Sequence, residues 1–212
     1  MYRLSRTTVA RKAKFLAIRA RVGVQDQAVA SPLIEIVEFD DMESFEHTKC
    51  KPLSILLAVE SKTRMIIDLE VARMPPKGVL AAPARKKYGP RKDERPAARA
   101  RLFKRIQSRV SPFAIFKSDE NPHYPKGLKE KFPYANHVRF RSRRACIVGQ
   151  GELKKIGFDP LFSFNHTAAM FRANVSRLFR RSWNTTKVPD RLADHMMIYA
   201  EYHNKKIAAG SA

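Results

Sequence analysis

The order of elements predicts an α/β fold on a mixed sheet, three antiparallel strands followed by parallel ones, with helices on both faces. Three observations carry this. Residues 33–71 hold three strand-length apolar runs joined by hairpin-length connections. From residue 96 onward strand and helix patterns alternate, as crossovers to parallel strands require. The chain has 212 residues, 44% of them hydrophobic, which suffices for a packed core and argues against wholesale disorder.

The first run, Leu33 to Phe39, alternates Leu33, Ile34, Ile36, Val37 and Phe39 with Glu35 and Glu38. Leu53 to Val59 is nearly continuous apolar, as a strand buried on both faces would be. Thr63 to Val71 is the third strand. Pro75, Pro76, Pro83 and Pro90 break residues 72–95, which read as a basic loop or insertion. From Pro96 to Val110 the spacing of Ala97, Leu102, Phe103 and Ile106 predicts a helix with proline in its first turn. Phe113 to Phe116 is a short buried strand, Pro125 to Phe132 a helix, and His137 to Phe140 another strand. Residues 141–160 are basic and mixed, with Gly149 and Gly151 marking a turn. Asn165 to Arg181 is a long basic helix, and Pro189 to Lys206 is the last. Strands and helices in this order match an RNase H-like sheet.

Lys and Arg number 42 against 20 Asp and Glu, a formal net charge of +22. Such an excess repels itself, and a polyanion relieves it, so nucleic acid is the expected partner. A membrane surface ranks second, and no stretch approaches the roughly 18 apolar residues of a spanning helix. Cys50 and Cys146 form no metal or disulfide pattern, which fits a reducing, cytosolic setting. The basic N-terminus lacks a secretory apolar run, and a mitochondrial presequence is the lesser reading of it.

Residues 1–22 contain no acid. Ser5 can cap a helix. Val9, Phe15, Leu16 and Ile18 supply its apolar stripe, with Arg6, Arg11, Lys12, Lys14, Arg19 and Arg21 around it. Ser5-Arg6-Thr7-Thr8-Val9 resembles the start of a helix-turn-helix recognition helix, which presents small polar and basic residues to the major groove. The alternative is a solvated basic helix. As a recognition helix it would be the last of its motif, and the chain is then expected to begin late. Residues 23–32 read as a linker to the domain at 33–205.

Six of the 20 acids fall within residues 35–46. Asp40 follows the first strand's apolar run, and Asp119 follows the Phe113–Phe116 strand. In the expected sheet these strands are neighbours, so the two carboxylates converge. Carboxylates held close repel unless a cation lies between them. Mg²⁺ accepts oxygen ligands and keeps water and substrate phosphate for the rest of its shell. The alternative is that both are ordinary strand-end aspartates.

Phe39-Asp40-Asp41-Met42-Glu43-Ser44-Phe45 resembles the stretch around the first catalytic aspartate of DDE-type transposases of small bacterial insertion sequences. Ser118-Asp119-Glu120 followed by Tyr124 resembles the segment around their second. Phe164-Asn165-His166, Thr185-Thr186-Lys187 and Tyr202-His203-Asn204 resemble the later part of the domain. The resemblance covers residues 33–205, with the Ser5–Arg21 helix as a remnant of a DNA-binding region. It implies an RNase H-like catalytic domain that cleaves DNA with Mg²⁺ or Mn²⁺ and transfers the strand to target DNA. It also implies double-stranded element ends and target as partners, a homo-oligomer, and a cytoplasmic, nucleoid-associated location.

The family's third ligand, a glutamate, has no counterpart: residues 160–189 contain no acid, and the usual spacing from Asn165 reaches Ala169. By one account Asn165 is the third ligand and Arg172, seven positions on, meets DNA phosphate. His166 is the other nearby donor, better suited to softer metals. By the other account the triad is lost, leaving a nucleic-acid-binding protein without catalysis. Arg172, Arg177, Arg180 and Arg181 are expected on DNA near the site, with Lys187 in the C-terminal segment. Arg85, Lys86 and Lys87 would hold DNA further off, and Arg6, Arg11 and Lys12 belong to the N-terminal helix. Trp183 reads as core. His123, His137, His195 and His203 show no metal-ligand spacing, and Gly149-Gln150-Gly151 matches no phosphate loop.

Overall fold

The computed structural model describes residues 4–29, 32–141, 159–179 and 185–210. A five-stranded sheet organises the chain. Strand β1 (Ile34–Phe45) pairs antiparallel with β2 (Pro52–Glu60), which pairs antiparallel with β3 (Ile66–Arg73). On its other side β1 pairs parallel with β4 (Val110–Asp119), and β4 pairs parallel with β5 (Asn136–Phe140). The order β3-β2-β1-β4-β5 with this change from antiparallel to parallel is the RNase H-like arrangement.

Two cores flank the sheet. On one face Leu53, Ile55, Leu57, Leu69 and Met42 meet three helices: α1 (Arg6–Val29), α5 (Phe162–Asn174) and α6 (Pro189–Gly210). On the other face Val37, Phe39, Leu56, Ala58 and Phe116 meet α3 (Arg95–Ile106) and α4 (Tyr124–Lys131). Residues 53–59 of β2 are all buried, serving both cores, which is why that run lacks alternation.

The sequence places most elements within a few residues, and five readings change. β1 continues to Phe45, so Asp40 lies inside the strand, opposite Leu57 of β2, rather than beyond its end. The expected linker at 23–32 is helical through Val29. The stripe expected to bury α1 is exposed: Val9, Phe15, Leu16 and Ile18 are each about half accessible or more. Ala17, Ala20 and Val24 are buried instead. The close α1–α6 packing selects small residues, and at Gly23 a Cβ would come 2.6 Å from Glu201 Oε1.

Residues 72–95 are not loop throughout. Met74 is buried, Gly78–Leu80 forms a 3₁₀ turn, and Ala81–Tyr88 forms α2, with Ala84 buried. Finally, α5 begins at Phe162 and ends at Asn174, so Asn165 sits in its first turn rather than starting it. Ahead of the helix, Asp159 Oδ1 accepts the Leu161 N–H at 2.9 Å.

Two buried polar groups lock helices to the edge strand β3. Asp68 accepts Arg105 Nε of α3 at 2.6 Å and faces Arg21 of α1 at 3.5 Å, clamping helices from both faces to one carboxylate. Asn204 of α6 accepts the Ile66 N–H at 2.8 Å and donates to the Ile66 carbonyl at 2.9 Å. Asn204→Ala strands both main-chain groups, and should lower unfolding free energy in urea by about 2–3 kcal/mol.

Candidate active site

Parallel pairing of β1 with β4 places the site. The register matches Glu38 with Lys117, so Asp40 and Asp119 stand two residues further along neighbouring strands, on corresponding sides. Paired contact with β4 stops at that point, which leaves a gap beside Asp40 and Asp41. Tyr124, the first residue of α4, fills it. Its side chain is fully buried, its ring centroid lies 4.9 Å from that of Phe39, and its hydroxyl reaches both carboxylates.

The hydroxyl lies 2.8 Å from Asp40 Oδ1 and 3.0 Å from Asp41 Oδ2. The Asp41 N–H also donates to Asp40 Oδ1, at 2.7 Å. Ser54 of β2 donates to Asp41 Oδ1 at 2.6 Å. Burial, then the nearby Asp119 charge, push the Asp40 carboxyl up to about 7. Burial also raises Asp119, with Asp41 adding repulsion, although the Asn121 N–H supports its charged form at 3.0 Å. Burial and the same aspartates raise Tyr124. Behind Asp119, the buried Ser118 donates to the Asp119 carbonyl at 2.7 Å and lies 2.9 Å from His137 Nε2 of β5.

One phenolic proton thus faces two carboxylates, with a third close enough to raise both its own pKa and that of Asp40. The donors are hard oxygens and the local excess is negative. That chemistry fits a divalent cation of the Mg²⁺ or Mn²⁺ type, which is held by one or two carboxylates with water and phosphate completing its shell. Asp40 and Asp119 would hold it. Among the described residues no group of three or more His, Cys, Asp or Glu side chains is arranged around one metal position.

Asn165 makes no hydrogen bond to this pair. It is exposed, and its amide donates to Asp159 Oδ2 at 2.7 Å. Helix α5 runs alongside β1: the Phe164 N–H donates to the buried Glu38 at 2.9 Å, and Arg172, two turns later, lines a cavity with Met42 to Phe45. Ala169, which carries no ligand atom, lies between these two points. His166 Nε2 lies 3.4 Å from Arg64 Nη1, away from the aspartates.

The cavity, of about 360 Å³, starts two residues past Asp40 and is ringed by Lys49, Lys77, Arg172 and Arg177 over Met42 and Leu178. Glu43 within it is paired with Lys77 at 3.2 Å. Arg177 also donates to His195 Nδ1 at 3.3 Å. Arg85, Lys86 and Lys87 are exposed on α2, and Arg6, Arg11 and Lys12 on α1. Lys187 bonds Thr185 at 3.1 Å. Arg180, Arg181 and Trp183, like Cys146, Gly149 and Gly151, lie outside the described residues.

Sequence reasoning passed over Asp41, Ser54 and Tyr124 as site residues, and also Arg95 and Arg99 of α3. Arg95 is close enough to Asp41 and Glu43 for their charges to raise its pKa. Arg99 is buried, with its guanidinium 5.9 Å from the centroid of the Tyr124 ring. Only Tyr124 left a signal, the aromatic that closes the Asp119 motif.

No family model and no curated protein matches the chain. Among solved structures, the catalytic domain of Mos1 mariner transposase is similar at 14% identity, covering 99% of this chain and 96% of that one, with a TM-score of 0.30. The same domain with raltegravir and Mg gives 14% identity, coverage of 94% and 98%, and a TM-score of 0.35. The Mos1 paired end complex with Mn gives 12%, 99% and 64%, and 0.33. At such values the fold assignment stands on strand order and pairing sense, and the superpositions add no argument about activity. Among the described residues no helix is long and apolar enough to cross a membrane.

The raised Asp40 carboxyl has a consequence for stability. Its folded pKa lies above the ordinary carboxyl value of 3.8, so the native state binds this proton more tightly than the unfolded chain does. Its contribution therefore erodes as pH rises from about 4 to about 7. In metal-free protein, Asp40→Asn should gain on the wild type across that window, by about 1–3 kcal/mol at pH 8. Urea titrations at several pH values check this, and a pH-independent difference would refute it.

Proposed function

We propose that the chain is a DDE-type transposase that cleaves DNA strands and joins the freed ends to target DNA with the help of divalent metal. The observation that carries this reading is the side-by-side placement of Asp40 and Asp119 at the end of the parallel β1–β4 pairing. Two half-buried carboxylates, both with raised pKa and one of them raised by the charge of the other, are poorly matched to a purely structural role and well matched to a cation site.

The bound metal supplies charge neutralisation at a phosphodiester and a more acidic water. The chain's residues do the rest. Asp40 and Asp119 present oxygen ligands from the rigid centre of the sheet. Tyr124 and the Asp41 N–H fix one Asp40 oxygen. Lys49, Lys77, Arg172 and Arg177 offer cations to a backbone passing along the β1 end, contacts that position DNA without reading its sequence. Arg85, Lys86, Lys87, Arg6, Arg11, Lys12 and Lys187 extend the basic surface, and Arg180 and Arg181 belong to the same proposal. Element ends and target, a homo-oligomeric assembly and an insertion-sequence origin are parts of this reading.

One observation favours a second reading, a DNA-binding protein without cleavage. Among the described residues no third His, Cys, Asp or Glu joins the pair, and Asn165, whose Nδ2 donates to Asp159, offers only a neutral amide oxygen.

Two experiments decide. With linear DNA carrying candidate ends, Mg²⁺ or Mn²⁺ should support nicking by the wild type, and Asp119→Ala should lower it by at least about 100-fold. No metal-dependent nicking by the wild type leaves the second reading. Under either reading, Lys49→Ala and Arg177→Ala should each flatten the slope of log affinity against log salt by about one, measured on duplex DNA without metal.

A further inference from the structure

The two aspartates of β1, just past its pairing with β4, are adjacent in sequence, yet the structure treats them differently. Both carboxylate oxygens of Asp41 are engaged, Oδ1 by the Ser54 hydroxyl at 2.6 Å and Oδ2 by the Tyr124 hydroxyl at 3.0 Å. Asp40 has both of its bonds on one oxygen, Oδ1, from the Asp41 N–H at 2.7 Å and Tyr124 at 2.8 Å. Its Oδ2 receives no hydrogen bond from the described residues.

We propose that Tyr124 is a positioning residue for Asp40, held in place by Asp41 and Ser54, and that Asp41 is a bracket rather than a ligand. This rests on the reading of Asp40 and Asp119 as a metal pair. Tyr124 is suited to the task. It opens α4 with Pro125 behind it, its ring is wedged against Phe39, and Arg99 lies at 5.9 Å from its centroid. These contacts and its complete burial confine the ring. The phenol therefore acts as a fixed post that sets the carboxylate plane of Asp40 and aims Oδ2 outward. The line Ser54–Asp41–Tyr124–Asp40 joins β2, β1 and α4, so strand and helix packing is transmitted to one oxygen atom. Removing the hydroxyl frees that plane to rotate and leaves two carboxylates facing each other without a proton donor between them. Both effects weaken metal capture, as loss of partners behind a metal ligand generally does.

The test is Mn²⁺ binding by the full chain without DNA, followed by electron paramagnetic resonance, for the wild type, Tyr124→Phe, Ser54→Ala, Asp41→Asn and Asp40→Asn. Thermal melts confirm that each variant folds. Tyr124→Phe should weaken Mn²⁺ binding about 10–100-fold. Ser54→Ala should act in the same direction and less, Asp41→Asn should cost less than about tenfold, and Asp40→Asn should abolish binding. In nicking assays Tyr124→Phe should raise the half-saturating Mn²⁺ while leaving most of the rate at saturation, a split that general damage to the fold would not give. Wild-type affinity in Tyr124→Phe beside lost binding in Asp40→Asn overturns this inference and leaves the metal reading standing. Equal loss in Asp41→Asn and Asp40→Asn overturns the assignment of Asp41. Unchanged binding in Asp40→Asn overturns the metal reading and this inference with it.

Discussion

The parallel pairing of β1 with β4 is the constraint on which the rest of the structure depends. Parallel neighbours cannot be joined by a tight turn. The chain therefore leaves the antiparallel β1–β2–β3 meander, crosses one face as α3, and returns beside β1 running the same way. That crossing builds the second core under Phe39 and Phe116. It also makes the outgoing ends of β1 and β4 coincide, so that residues about 80 positions apart in sequence present carboxylates to one spot. Antiparallel pairing of the same strands would send Asp40 and Asp119 to opposite ends of the sheet.

Electrostatics explains why so few acids carry so much of the argument. With 42 basic residues against 20 acidic ones, many acids are ion-paired: Asp68 by Arg105 and Arg21, Glu46 by Arg91 and Arg73, Glu70 by Arg101, Asp93 by Arg95. Asp40 has no such cation among the described residues. Its partners are a phenol, an amide and another carboxylate, and burial with that like charge pushes its pKa up rather than down. In a chain with cations to spare, an acid buried among other acids marks a place where the missing positive charge comes from outside.

Much of this was legible in the sequence because it follows from local patterning. Strand alternation, the doubly buried run at 53–59 and the proline opening the third helix are all short-range signals. The convergence of Asp40 with Asp119 followed once the element order was read as a mixed sheet. What escaped was set by distance between elements. In α1 large apolar residues suggested the buried stripe, but the close approach to α6 at Gly23 and Glu201 admits only the alanine face. In β1 the apolar run stops at Phe39, yet the strand continues, because pairing with β2 persists to Phe45. In α5 the helix starts at Phe162, three residues before Asn165, where the sequence pattern placed its beginning.

The same distinction applies within the site. Adjacent residues of a strand normally face opposite sides, so Asp40 and Asp41 would be read as one functional and one incidental acid. Tyr124 removes the distinction by standing in the gap where β4 no longer pairs with β1, within reach of both sides. Strand-end carboxylates of this kind are usually open to water and free to turn. Here the end of one strand pairing, the first residue of a short helix and a serine on the neighbouring strand leave one carboxylate with both oxygens engaged and the other with a single oxygen held. The packing of the second core, through Phe39 and Tyr124, thereby reaches the chemistry directly: a change that loosens α4 would act first on the orientation of Asp40 and only then on the stability of the fold.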